Sequence, residues 1–302
     1  MNIKKFKGEF NSIEKTVRAR KIFVFGGGFG EEREASIYTA NAVYKELKKN
    51  KFSVAQIDPA NKDITQLNYK NAVVFNCLHG AFGESGHLPA ILDYLKVPYT
   101  FSSVAPSALT ADKIFFKATL KKIGLGAPID NLDKEFLKKK ELFIHKKISG
   151  GGSIGMYIDR KKTTRKGYFT EEFLSGKILS LGVLESEGDY MPLGIVEIKL
   201  KNKKFYDKTA KYDEGFSSLI SYKGKNVAKI QNITKAIFGF LGIRSCARID
   251  FIEHKNKIFI LEINSVPGLY IGSNLQYSAE LVGLSFYELL IWILSRAQYD
   301  NL

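Results

Sequence analysis

The sequence predicts an α/β protein, with an open parallel α/β sheet in its N-terminal part and α+β character in its C-terminal parts. Three stretches carry that reading. The apolar run Lys21-Ile22-Phe23-Val24-Phe25, a glycine turn from Gly26 to Gly30 and a helix-period segment from Glu31 to Lys49 make a strand–turn–helix opening. A second buried run, Ala72–Leu78, ends in His79-Gly80-Ala81-Phe82-Gly83-Glu84, at the kind of strand end where open α/β sheets bind ligands. Toward the C-terminus, Cys246–Gly268 holds two apolar runs, Ala247–Ile252 and Lys257–Ile263, around the polar turn Glu253-His254-Lys255-Asn256, which reads as a β-hairpin.

At 302 residues the chain has room for two or three domains with cores of their own. A composition 45% hydrophobic and 25% charged is that of a globular protein and argues against a disordered one. Lys and Arg number 46 against 31 Asp and Glu, a net charge of +15 that favours anionic partners. The excess is scattered over short clusters such as Lys138–Lys140 and Arg160–Lys162, and no nucleic-acid-binding motif accompanies it, so much of it reads as solvated surface. Cys77 and Cys246 sit inside apolar runs without metal-type spacing and read as buried thiols in a reducing compartment. No apolar run approaches the roughly 18–20 residues of a membrane span, and the basic N-terminus lacks an apolar signal region. A cytoplasmic protein that binds neither membrane nor nucleic acid is expected.

Residues 1–20 are charged, with helical spacing at Phe6, Phe10, Ile13 and Val17, and read as an N-terminal extension. Ala40, Val43, Tyr44 and Leu47 mark one face of the helix over Glu31–Lys49. Its first turn holds Glu32-Arg33-Glu34-Ala35-Ser36, where acidic residues also suit the helix dipole. The preceding glycines do not form G-x-G-x-x-G with an acidic residue downstream, which weakens a dinucleotide reading. Strands at Phe52–Ile57 and Ala72–Leu78 follow, then a helix at Leu88–Leu95, a short strand at Val97–Thr100 and one helix over Ala105–Ile123. The pattern alone leaves Asp112 and Lys113 on a solvated face of that last helix.

A linker with a lysine-rich helix occupies residues 124–142, and strands are expected near Leu142–Ile148, Gly155–Ile158, Tyr168–Phe173, Ile178–Leu184 and Leu193–Leu200. Between the first two, Ser149-Gly150-Gly151-Gly152-Ser153-Ile154-Gly155 can lay backbone N–H groups over phosphates, with Lys146 as the charge partner. It is not a G-x-x-x-x-G-K-[ST] loop, and a plain flexible turn fits the same glycines. An irregular stretch from Ala210 to about Asn226 has the length of a functional loop. A helix spans Val227–Leu241, and helices near Ser278–Val282 and Ser285–Arg296 close the chain.

Alternation along a strand sharpens the hairpin. If it closes about Asn256, Asp250 sits opposite Glu262 and Arg248 opposite Asn264, with Ile249, Phe251, Leu261 and Ile263 on the other face. Like charges directly opposite each other are destabilising, so a positive group belongs between them. A hard divalent cation with oxygen ligands, such as Mg²⁺ gripping a polyphosphate, meets that demand. An ordinary amphipathic hairpin is the bland alternative.

Taken in order, these segments resemble the D-alanine–D-alanine ligases of the ATP-grasp superfamily over about Lys21–Arg296. The resemblance implies an ATP-grasp fold with a shortened central domain, divided as 21–104, 105–182 and 183–302 after the N-terminal extension. It implies ATP-dependent joining of two D-alanines for peptidoglycan precursors, with ATP and Mg²⁺ (or Mn²⁺) in a cytoplasmic homodimer. Glu32, in the match to E-R-E-V-S, would hold the first D-alanine's amino group, and His79, in L-H-G-x-x-G-E, would approach its carboxylate. Lys113, Lys146 and Lys211 fall on lysines that bind the ATP phosphates, and Gly152, Ser153 and Glu171 fall on further ATP contacts. Ser153 and Tyr212 join Glu32 in the family's glutamate–serine–tyrosine triad. The R-x-D and E-x-N pairs make Arg248 the transition-state arginine and Asp250, Glu262 and Asn264 the metal ligands. Gly268 and Ser273 match the loop that receives the second D-alanine.

The chain departs from the family pattern in five places, one being a shortened stretch after Tyr212. Only about a dozen residues separate the glycine loop from Tyr168, too few for the usual helix. Ile178 stands where the family places a glutamate for the ribose hydroxyls, Lys147 replaces a proline, and Phe101 replaces a glycine. Two other readings follow. One is an ATP-grasp ligase for other amino acids, which a phosphate-release screen over D- and L-amino acids separates. The other is a non-catalytic ATP-grasp-like binding protein, marked by ligand binding without turnover.

Overall fold

The computed structural model describes residues 2–131, 133, 136, 142–161, 165–201 and 216–301, and three sheets organise them. Strand β1 (Lys21–Phe25) lies between β2 (Val54–Ile57) and β3 (Ala72–Asn76), both paired to it in parallel. Parallel strands need cover on both faces. Ile22 and Val24 point into one core with Ala40, Val43 and Leu47 of α2 (Arg33–Lys49). Phe23 and Phe25 point into another with Leu88 and Leu92 of α4 (His87–Tyr94), which follows the single-turn α3 (Ala81–Glu84). Gly26 permits the first contact, since a Cβ there would come within 2.2 Å of the Ala40 Cβ.

The N-terminal segment is a helix, α1 (Ile3–Arg18), capped by the Asn2 side chain. Its apolar spacing at Phe6, Phe10 and Val17 puts Phe6 in full burial, with its ring 4.5 Å from that of Trp292 in α9 (Phe286–Ser295). Residues 3–18 are thus part of the main core and not an appendage.

Three sequence-predicted elements differ, one being the irregular stretch from Ala210 to Asn226, whose described part holds the strand Ser217–Ser221. The single helix over Ala105–Ile123 is two, α5 (Val104–Ala111) and α6 (Lys113–Lys122). Asp112 breaks it because its carboxylate accepts the N–H groups of Ile114 and Phe115, a side-chain N-cap that requires extended backbone at Asp112 itself. The Lys113 N–H then donates to Ile148 O at 3.1 Å, tying the start of α6 to the glycine loop. Val97–Thr100 forms no strand, and Tyr99 makes only isolated bridges to Val74 and Gln298.

The second sheet is antiparallel, β4 (Phe143–Lys147) between β5 (Tyr157–Asp159) and β6 (Tyr168–Glu172). The third has the order β11-β10-β7-β8-β9, from β7 (Lys177–Ser186), β8 (Asp189–Leu200), β9 (Ser217–Ser221), β10 (Cys246–His254) and β11 (Lys257–Asn264). Helix α7 (Val227–Leu241) packs Ile230, Ile237 and Phe238 in one core with Leu179, Leu181 and Phe251. Short α8 (Asn274–Glu280) joins α9 in the main core. Both cysteines are buried and free, and burial pushes both thiols up. Among the described residues no helix is long and apolar enough to cross a membrane.

The glycine turn after β1 is pinned by Asp58, which accepts from Arg33 Nη2 at 2.6 Å and from the Gly28 N–H at 2.9 Å. The Arg33 hydrogen bond holds the Asp58 carboxyl below its ordinary value, against the upward push of burial. Such a group stabilises the fold above its unfolded pKa, about 3.9, and loses that contribution as pH falls through the lower folded value. D58N is therefore expected to lower the urea midpoint at about pH 7, with the gap from wild type narrowing as pH falls below about 3.9.

Candidate active site

The hairpin turns at Lys255-Asn256, whose φ values of 47° and 62° suit a two-residue turn. His254 pairs with Lys257 and Phe251 with Ile260, yet Asp250 pairs with Glu262 and Arg248 with Asn264. Leu261 is the extra residue of a β-bulge. The expected carboxylate pairing is present only because of that bulge. Leu261, expected on the apolar face, instead lines a cavity beside Glu262, while Ile258, Ile260 and Ile263 stay in the core. The reason is the period of two, which one inserted residue inverts.

The positive group on Asp250 is Arg248. It donates from Nε and Nη2 to the two oxygens of Asp250, at 2.9 and 2.8 Å, and Ser180 Oγ donates to Oδ1 at 2.6 Å. Arg248 is buried, so this fork is a charge-assisted pair shielded from water. The Asn264 side-chain oxygen accepts the Val266 N–H at 3.2 Å. Among the described residues no three His, Cys, Asp or Glu side chains converge as a metal cluster, so the candidate set is Asp250, Glu262 and the Asn264 amide oxygen.

Two cavities meet here. The first, about 660 Å³, is lined by Glu32, His79, Lys113, Arg248, Gly268 and Ser273 among others. Glu32, just ahead of α2, accepts the Gly151 N–H at 2.9 Å and so bridges the first sheet's helix to the glycine loop. His79 is buried, with Nε2 3.0 Å from Thr39 Oγ1 and Nδ1 3.2 Å from Glu84. Ser273 caps α8 through its side chain. The Tyr270 phenol is pushed up by burial, with Arg248 opposing.

The second cavity, about 440 Å³, shares Lys113, Glu262 and the glycine loop with the first and adds Lys146, Ser153, Glu171 and Asp250. Gly152 and Ser153 both have φ near +60°, at +61° and +59°, which turns the loop over the cavity. Lys113 Nζ donates to Gly150 O at 2.7 Å, and burial lowers its pKa while Glu262 pulls it back up. The solvated-face reading of Asp112 and Lys113 fails for that reason. Lys146, expected beside phosphates, here pairs with Glu171. A second ammonium, Lys117, lies 2.6 Å from the other oxygen of Glu171, and both partners are buried. Burial would raise the Glu171 carboxyl, and the two lysines outweigh it and hold it below its ordinary value. At the far end, Ile178 pairs with Ile252 on one side and Ile198 on the other, an apolar row across three strands. Lys211 and Tyr212 lie outside the described residues.

Sequence reasoning missed Lys117, Ser180, Leu261 and Tyr270. Lys117 was accessible from its i,i+4 spacing to Lys113, and Ser180 from strand alternation. The other two depend on the bulge and on a loop path.

Residues 146–295 match the family described as D-ala D-ala ligase C-terminus. The D-alanine–D-alanine ligase of Pelagibacter ubique is 33% identical, over 93% of this chain and 99% of its own length. The chain belongs to the D-alanine–D-alanine ligase family. The Aquifex aeolicus ligase is 32% identical, over 91% of this chain and all of its own length (100%). Among solved structures, the D-alanyl-alanine synthetase A of Vibrio cholerae superposes with a TM-score of 0.78 at 20% identity, covering 91% of this chain and 98% of that one. A Bacillus anthracis D-alanine–D-alanine ligase complexed with ATP gives 0.75 at 23% identity, with 92% and 96% covered. These likenesses establish the ATP-grasp fold for this member of the family.

Proposed function

We propose that this chain joins two D-alanines to D-alanyl-D-alanine, converting ATP to ADP and phosphate. The observation that carries the reading is the meeting of the two cavities at Lys113, Glu262 and the glycine loop. An amino-acid carboxylate in the first cavity then faces a terminal phosphate in the second. The carboxylate oxygen attacks the γ-phosphorus, ADP leaves, and an acyl phosphate forms. The amine of the second D-alanine attacks the acyl carbon, loses a proton, and expels phosphate.

The chain's own residues divide the work. Glu32 takes the first ammonium and His79 the first carboxylate, while Lys113, Lys146 and Lys211 spread the charge of the transferring phosphoryl group. Gly152 and Ser153 lay the loop over the phosphates, and Ser153 and Tyr212 help close the site against water. Arg248, with backbone N–H groups near Gly268, meets the negative charge that grows on the tetrahedral oxygen, and Ser273 receives the second carboxylate. All three donors of the candidate metal set are oxygens, which suits Mg²⁺ or Mn²⁺. Asp250, Glu262 and Asn264 would hold the ion, which when bound neutralises polyphosphate charge. The family resemblance also supports a cytoplasmic homodimer, which sedimentation of the purified protein checks. Because β7 begins at Lys177 and pairs with β10, we place the boundary of the C-terminal unit ahead of Lys177 rather than after residue 182.

A phosphate-release screen over D- and L-amino acids, with product masses, tests this reading. D-alanine is expected to give the highest rate and the dipeptide mass; strict dependence on another amino acid, or no turnover beside measurable binding, overturns it.

A second expectation concerns the nucleotide. The Ile252–Ile178–Ile198 row offers no side-chain hydrogen-bond acceptor to a sugar hydroxyl. 2′-Deoxy-ATP is therefore expected to support turnover within about threefold of ATP, whereas a site built to bond that hydroxyl rejects the analogue by orders of magnitude. Comparing kcat/KM for the two nucleotides checks it.

A further inference from the structure

Between Gly268 and Ser273 runs Leu269-Tyr270-Ile271-Gly272. Leu269 is buried in the main core and Ile271 is 69% exposed, whereas Tyr270 lines the first cavity. The Tyr270 ring lies on Gly268: its Cε1 is 3.3 Å from where a Cβ on that glycine would sit. A T-shaped contact with Tyr38 of α2, ring centres 4.8 Å apart, supports the ring from the rim, where Tyr38 is 59% exposed. The Tyr270 carbonyl accepts the Ser273 N–H at 3.0 Å, so one tight turn fixes both the ring and the serine. Thr39 closes the same corner, its Oγ1 4.0 Å from the same point above Gly268.

On the reading above, the acceptor amino acid sits between Arg248, Gly268 and Ser273. We propose that Tyr270, buttressed by Tyr38, is the specificity-determining residue that limits the acceptor's side chain to about the size of a methyl group. The ring sits between a glycine and a second ring, so a longer substituent directed at this corner meets it. This inference rests on the ligase reading and adds to it the element that selects the second substrate.

The test is the ratio of kcat/KM for D-alanine over D-norvaline as acceptor, with D-alanine as donor and products resolved by mass. A ratio within one variant is independent of how much of that protein is folded. Wild type is expected to favour D-alanine by at least about 100-fold, since each extra methylene in a tight pocket costs roughly 10- to 200-fold. Y270A is expected to lower the ratio at least tenfold, and Y270F, which keeps the ring, to stay within about threefold of wild type. Y38A removes the support and is expected to lower the ratio by at least about threefold, which carries the test if Y270A does not turn over. A wild type that accepts D-norvaline as well as D-alanine, or a Y270A or Y38A ratio equal to wild type, overturns the proposal. A wild type that releases no phosphate with D-alanine removes the ligase reading itself, and this proposal with it; an active enzyme with an insensitive ratio removes the proposal alone.

Discussion

Replacing Arg248 with alanine is expected to lower kcat by about 10²- to 10³-fold, the loss seen when one donor to a developing oxyanion is removed. The structure adds a second consequence. Arg248 holds both oxygens of Asp250, and Asp250 stands opposite Glu262 across the hairpin. Without the guanidinium, two carboxylates face each other and Ser180 is left as the described side chain donating to Asp250. R248K is expected to recover little, because an ammonium cannot match a fork that grips two oxygens at once. Steady-state rates at saturating ATP and D-alanine measure the effect, with circular dichroism as the control for folding. An R248A enzyme within tenfold of wild type would reduce this arginine to a counter-charge.

The second large effect falls on stability. K117M is expected to destabilise the fold by about 1.5–3 kcal/mol, the loss of one of the two charged partners of a buried carboxylate. Lys117 and Glu171 are both buried and 2.6 Å apart. Removing Lys117 leaves Glu171 with Lys146 alone, and Lys146 is also the residue proposed to serve phosphate. The double variant K117M/E171M is expected to be less stable than K117M, because it leaves the half-buried Lys146 ammonium without its carboxylate. Urea midpoints for the two variants and wild type decide it. A K117M protein within about 1 kcal/mol of wild type would mean that Lys146 carries Glu171 by itself.

Lys117 also shows where reading the sequence stops. Its four-residue spacing from Lys113 puts both on one helix face. Nothing in the sequence says that the face turns inward, because that depends on Glu171 arriving from β6, more than fifty positions later. The helix break at Asp112 was local chemistry, a carboxylate capping the next turn, and was hidden by a continuous apolar pattern on either side. Residues 1–20 carried the right spacing for a helix, yet their partner Trp292 lies at the far end of the chain.

By itself the sequence determined most local elements and placed Arg248, Asp250, Glu262 and Asn264 on one hairpin, because strand alternation and tight turns are short-range properties. It also carried the family, through motifs that arrive in order. Only the tertiary structure decided who neutralises whom. Arg248 turns onto Asp250, Lys146 and Lys117 onto Glu171, and Tyr270 onto Gly268. A bulge at Leu261 brings the carboxylates into register. Those choices depend on burial, which lowers the dielectric and makes each buried charge find a partner, and on chain paths that no local pattern encodes.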